Sequence, residues 1–138
     1  MTDVREEKCG KPLNAGAFMA NIGPLLKKKD QDGDTFYALE TTAQHANALG
    51  LVHGGVIASL LDQAIAMVAW TAAGRVPTVT VQLDTRFVSA AKPGVELQAR
   101  ANMRHRSTSM MFLDAEILDG NKVIALATAV MKISRKAS

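Results

Sequence analysis

"HANALGLVHGGVIASLLDQA", residues 45–64, places one carboxylate, Asp62, inside an apolar run that begins directly after two adjacent glycines. A charge on an apolar helix face costs stability unless it is paired or used. The run from Val56 to Ala73 is interrupted only by Ser59, Asp62, Gln63 and the polar Thr71, and it ends at Gly74 and Pro77. His53-Gly54-Gly55 opens it, so the spacing predicts one helix to about Ala73. Its length and interruption fit a buried helix, not a membrane span. At 3.6 residues per turn, Ala58, Asp62, Ala66, Ala69 and Ala73 share one narrow stripe that lets another element or a ligand approach closely.

Outward from this helix the pattern changes. Residues 78–88, "TVTVQLDTRFV", alternate, with Val79, Val81, Leu83 and Phe87 on one face and Thr80, Gln82, Asp84 and Arg86 on the other. Residues 95–104 alternate again, residues 110–118 read as a further strand, and "DGN" at 119–121 is a hairpin signal before a last strand over 122–134. Upstream, residues 14–23 form a short helix with Asn14 as its cap and Gly23-Pro24 as its stop. "LKKKDQDGD", residues 26–34, reads as a loop, and Thr35 to Thr41 as a short strand. Residues 1–13 read as a loosely held tail of one domain spanning 1–138. Four strands in series pair antiparallel. A helix apolar nearly all round needs cover, and a curling sheet supplies it. The fold class is α+β, a long central helix wrapped by an antiparallel sheet.

The bulk properties exclude several functions. One cysteine, Cys9, permits no internal disulfide, and the charged start "MTDVREEKCGKPLN" lacks the apolar segment of a secretory leader, so the expected setting is cytoplasmic. Net charge is +3, with basic clusters at Lys27-Lys28-Lys29, Arg104-His105-Arg106 and Arg135-Lys136 but no nucleic-acid-binding motif beside them. No Gly-x-Ser-x-Gly nucleophile elbow is present, Ser59 has no nearby base, and His45, His53 and His105 have no metal-ligand spacing. A His53–Asp62 dyad fails on geometry, because nine helical residues put the two on opposite sides. That leaves His53 a capping role. Asp62 alone reads as a structural carboxylate bonded to an amide or an arginine. Gly54 and Gly55 add a second possibility, because a helix start offers unpaired N–H groups, and glycine leaves them open to an incoming oxygen.

Asn47 to Asp62, N-A-L-G-L-V-H-G-G-V-I-A-S-L-L-D, resembles the signature of hotdog-fold acyl-CoA thioesterases, most closely the PaaI-like branch of phenylacetate degradation. The branch shows Asn, then Gly, then His-Gly-Gly, then Asp. "VQLDTRFVSAAKPG", residues 81–94, is similar to its second strand and turn, and the element order matches over residues 35–133. The resemblance implies a hotdog fold, a homodimer with sheets joined edge to edge or a homotetramer, active sites between subunits, an acyl-CoA substrate, and neither cofactor nor metal. It also implies roles. Asp62 is the carboxylate that activates water or attacks the thioester, and the Gly54 amide polarises the thioester carbonyl. Asn47 helps place water or the carboxylate. Thr80 falls where some relatives carry a serine, and His53 and Gly55 support the loop. Lys92, Arg104, His105 and Arg106 are candidates for the CoA phosphates, with plain surface charge as the alternative. Two further readings stay open: a non-catalytic acyl-CoA-binding hotdog protein, and a hotdog dehydratase or hydratase.

Overall fold

Ile57, Leu60, Leu61, Ala64, Ile65 and Ala69 recur at helical spacing, and all are buried. They form one face of helix α2, Gly54–Ala72. The computed structural model describes residues 10–134, so Cys9 and the Arg135-Lys136 pair lie outside the described residues. Before α2 come β1 (Lys11–Leu13), α1 (Gly16–Ile22), β2 (Leu25–Lys29), β3 (Thr35–Glu40) and a 3-10 turn at Ala43–His45. After it come β4 (Thr78–Phe87), β5 (Glu96–Arg106), β6 (Met110–Asp119) and β7 (Lys122–Ile133). The strands make one antiparallel sheet in the order β1-β2-β3-β5-β6-β7-β4. α2 packs against β3, β4, β5, β6 and β7, where Leu39, Leu97, Met111, Leu113, Ile117 and Met131 meet its apolar face. This is the hotdog arrangement. By length and composition α2 could cross a membrane, but here it is the core helix of the sheet.

The four strands expected after the helix are present, and Gly120, at φ 59°, leads the two-residue turn between β6 and β7. The start of the chain differs from expectation. Leu25–Lys29 is a strand, not part of a loop, and Lys11–Leu13 pairs with it instead of trailing as a tail. The lysines obscured this. Their strand is held by the ladder to β3 and by Lys28 Nζ, which donates to Glu96 at 2.6 Å. Only residues 30–34 turn, with Asp30 Oδ1 accepting the amides of Asp32 and Asp34. Helix α1 begins after Ala15, and the expected cap Asn14 accepts the Gly16 amide at 3.3 Å from one position further out.

The sheet covers one side of α2. Asp62, Gln63, Ala66, Met67 and Trp70 lie on the other side and remain half-buried. The alanine stripe follows the border: Ala69 is fully buried, whereas Ala58, Ala66 and Ala73 are only partly so. The two sides should respond differently to truncation. Leu61→Ala, in the fully buried face, is expected to lower unfolding stability by about 2–5 kcal/mol. Ser59→Ala, whose hydroxyl only donates back to the Gly55 carbonyl, should change it by no more than about 0.5 kcal/mol. Urea denaturation of both variants checks the contrast.

Candidate active site

β4 does not alternate without interruption. Its register against β7 slips between Thr80, opposite Met131, and Gln82, opposite Val130, leaving Val81 as a bulge. Met131 and Ala129 are both core residues, so Thr80 and Leu83 lie on the same, helix-facing side. Uninterrupted alternation would have put Thr80 opposite Leu83, and Val81 with it. The bulge therefore corrects the expected face pattern of this strand. Val79, Val81 and Phe87, read from the sequence as one apolar face, are all more than half exposed.

The consequence lies at Asp62. Thr80 Oγ1 donates to Asp62 Oδ1 at 2.8 Å. The carboxylate thus has one oxygen held by a hydroxyl, while Oδ2 has no hydrogen-bond partner among the described residues. A carboxylate fixed in this way can take a proton from water or attack an electrophile with its free oxygen.

The start of α2 is built around its two glycines. His53 is the N-cap, and its Nδ1 accepts the Gly55 amide at 2.8 Å, which leaves the ring proton on Nε2. A Cβ on Gly55 would lie 3.0 Å from His53 Nδ1, so glycine is what admits the capping ring. The His53 carbonyl takes the amides of Val56 and Ile57. The Gly54 N–H is left without an acceptor among the described residues. It opens on a cleft of about 360 Å3 lined by Asn47, Phe87 and Ser89 among others. Asn47 Oδ1 accepts the Leu49 and Leu51 amides at 2.9 and 3.1 Å, fixing the turn that leads into the helix. Its Nδ2 has no acceptor among the described residues.

Two half-sites result. Asp62 and Thr80 form one, and Gly54 and Asn47 the other. Eight residues of one helix separate the carboxylate from the amide, about 12 Å along the axis. The structure does not bring them together within one chain. Nor does it form a His53–Asp62 pair, since each has another partner.

The basic candidates are dispersed. A register shift between Met103 and His105 splits the Arg104-His105-Arg106 run. Arg104 pairs with Asp114 at 3.3 Å, the His105 ring lies 5.9 Å from that of Phe112, and Arg106 donates to the Ala72 carbonyl at the C-terminal end of α2. Arg106 therefore lies at the C-terminal end of α2, the opposite end from Gly54. Lys92 is exposed in the turn that follows Ala90 and Ala91, which border the cleft. His45 is structural: it is buried, accepts the Thr42 amide on Nδ1 at 2.9 Å and bonds the Ile22 carbonyl through Nε2. Asp30, Asp32 and Asp34 bring carboxylate oxygens within 4.8 Å of one another. Asp30 is committed to two turn amides and to Arg100 at 2.9 Å, and the Asp34 amide in particular holds its carboxyl below the usual range.

Sequence reasoning missed the Val81 bulge, and missed Phe87 as a wall of the cleft. A Cβ on Gly54 would meet the Phe87 ring at 3.4 Å. No local signal marks either feature.

Comparison with known proteins agrees with the fold. The sequence model described as the thioesterase superfamily matches residues 49–125. Acyl-coenzyme A thioesterase 13 of Homo sapiens is 23% identical over 117 residues, covering 85% of this chain and 84% of that protein. A mutant of the phenylacetic acid degradation protein PaaI from Thermus thermophilus superposes with a TM-score of 0.75 at 26% identity, over 85% of this chain and 98% of that one. A Bacillus halodurans protein solved with CoA gives a TM-score of 0.77 at 24% identity, over 90% and 83% of the two chains.

The capping arrangement makes its own prediction. Replacing a helical glycine by alanine gains about 0.5–1 kcal/mol where the space is free. Gly55→Ala in a His53→Ala background should show that gain. In the wild-type background it should not, because the new methyl displaces the ring and removes the cap. A double-mutant cycle on unfolding free energies would expose the coupling, and additive values would contradict it.

Proposed function

This chain belongs to the thioesterase superfamily and is a thioester hydrolase, and from that premise we propose that its substrate is an acyl-CoA, split at Asp62. The observation that carries the proposal is the hydrogen bond from Thr80 Oγ1 to Asp62 Oδ1, which orients a half-buried carboxylate with one oxygen free.

The site is composite in this proposal. β4 is the edge of the sheet and has no strand on its outer side among the described residues. Val79 and Val81 on it are more than half exposed. Pairing β4 with β4 of a second copy about a two-fold axis continues the sheet, sets the two α2 helices side by side and antiparallel, and brings Asp62 of one copy opposite Gly54 of the other. A dimer, or a tetramer made of two dimers, acting in the cytoplasm is part of the same reading.

The chemistry follows from these parts. The thioester carbonyl oxygen accepts the Gly54 N–H, and the partial positive charge of the helix start stabilises the developing oxyanion. Two routes share this geometry. In one, Asp62 takes a proton from water, the oxygen bonds to the acyl carbon, the C–S bond breaks, and the thiolate leaves and is protonated. In the other, the free Asp62 oxygen bonds to the acyl carbon first, thiolate leaves, and water then cleaves the resulting anhydride. Asn47 Nδ2 holds the water or the carboxylate.

Two substitutions test the assignment. Asp62→Asn keeps the Thr80 contact and the shape but removes the base, and should lower thiol release by about 10²- to 10⁴-fold. Gly54→Pro removes the N–H at the first helical position, where proline is well tolerated. His53, at φ −61° and ψ 136°, already has the extended conformation that a residue before proline prefers. This variant should fold normally and lose about 10²- to 10³-fold in kcat. Full activity in either variant would refute its role. Single turnover in 18O-water tests the anhydride route: label in the Asp62 carboxylate marks an anhydride opened at the aspartyl carbon, whereas label only in the released acid marks attack of water at the acyl carbon, in either route.

A further inference from the structure

The open side of α2 carries a second feature, one turn beyond Asp62. A groove of about 410 Å3 runs there, lined by Ala66, Met67 and Trp70 of α2, by Pro77 and Thr78 at the start of β4, and by Leu13 of β1. Gln63, the residue after Asp62, stands at its near end. Thr78 lies on the same strand as Thr80, two residues earlier. The groove thus takes in the chain neighbour of Asp62 and the strand residue two before Thr80, and lies beside the Asp62–Thr80 pair. It is also mostly apolar, which neither the carboxylate nor the oxyanion chemistry requires.

Trp70 lines the groove two helical turns beyond Asp62, and an unusual backbone holds it there. Arg75, at φ 67°, is the sole non-glycine residue in the left-handed region among those described. L residues rarely keep that conformation without a compensating contact. Arg75 donates its amide to the Trp70 carbonyl at 2.8 Å and sets its guanidinium 5.6 Å from the Trp70 ring centroid. Backbone and side chain of Arg75 thus both pin this lining residue.

We infer that this groove takes the acyl group of the substrate, that Trp70 is the wall that limits its length, and that Arg75 is a positioning residue for Trp70. The inference rests on Asp62 being the site of thioester cleavage. Its scale follows from the helix. Asp62 and Trp70 are eight residues apart, about 12 Å. Extended chain covers about 3.3–3.6 Å per three backbone bonds. The groove then admits an acyl group of no more than about ten carbons in line, straight or ending in one ring, and excludes the long fatty chains.

The test uses wild type and Trp70→Ala with butanoyl-, octanoyl- and hexadecanoyl-CoA. Wild type should favour octanoyl over hexadecanoyl by about tenfold or more in kcat/KM, and Trp70→Ala should narrow that ratio by about tenfold, since hydrophobic pockets discriminate on this scale. An unchanged ratio overturns the inference. Should Trp70→Ala fail to fold, Ala66→Phe fills the groove from its floor and should depress octanoyl turnover relative to butanoyl turnover, and a constant ratio there overturns it equally. Arg75→Gly fits the left-handed backbone and removes the stack, so it should broaden the length profile without loss of unfolding stability. A separate readout distinguishes failure of the groove from failure of the hydrolysis. Trp70 is the only tryptophan in the chain, and the thioether S-octyl-CoA cannot be hydrolysed. Its binding to wild type should shift tryptophan emission to the blue, whereas CoA alone should not. A shift without turnover of any thioester would sustain the groove and refute the cleavage. Octyl binding measured by calorimetry with no emission change, or no octyl binding at all, would refute the groove.

Discussion

The hydrogen bond from Thr80 Oγ1 to Asp62 Oδ1, 2.8 Å long, joins the edge strand of the sheet to the middle of its long helix. It exists because β4 carries one extra residue at Val81. Without that bulge a two-residue period would send either Thr80 or Leu83 away from α2. With it, the strand presents an apolar side chain to the core and a hydroxyl to the carboxylate within four residues. A charge that would otherwise weaken an apolar helix is held in one orientation with one oxygen unoccupied. The local irregularity of the sheet is thus the cause of the site's order.

The helix itself is divided along its length. Its buried face, from Ile57 to Ala69, fixes its position against the sheet. Its open side carries Asp62, Ala66 and Trp70, and its start carries the free Gly54 amide. The two glycines do different work: Gly55 makes room for the His53 ring, and Gly54 leaves the cleft beside Phe87 open. Rigid packing on one side lets the other side be polar, small and accessible, which a positioned water, a thioester and an acyl chain all require. The separation of carboxylate and amide by two helical turns is a constraint of equal weight. No bending of one helix brings them to a common atom, so the proposed chemistry depends on a second copy.

Much of this was legible in the sequence. The helix, its glycine start and the strands after it follow from apolar spacing and turn residues, and the stretch from Asn47 to Asp62 pointed to the family. What escaped has non-local causes. β2 is disguised by three lysines, one of which is neutralised by Glu96, 68 residues away. His45 reads as unpartnered because its partner is the carbonyl of Ile22. Arg106 reads as a candidate for the CoA phosphates or as plain surface charge, and its bond to the Ala72 carbonyl of α2, 34 residues away, is a contact that spacing alone does not announce. The bulge at Val81 arises from the pairing of β4 with β7 and has no signature in the residues themselves.

The central claim, that Asp62 of one copy works with Gly54 of another, is tested most directly by subunit complementation. Asp62→Asn and Gly54→Pro homo-oligomers are each inactive in this account. Unfolding and refolding them together in equal amounts forms mixed dimers in which one site holds both substitutions and the other holds neither. Thiol release should then return to about a quarter of the wild-type level, as two-fold symmetry and random pairing require. Refolded mixtures that contain mixed dimers and remain as inactive as their parents would contradict the composite site and confine both residues to one chain.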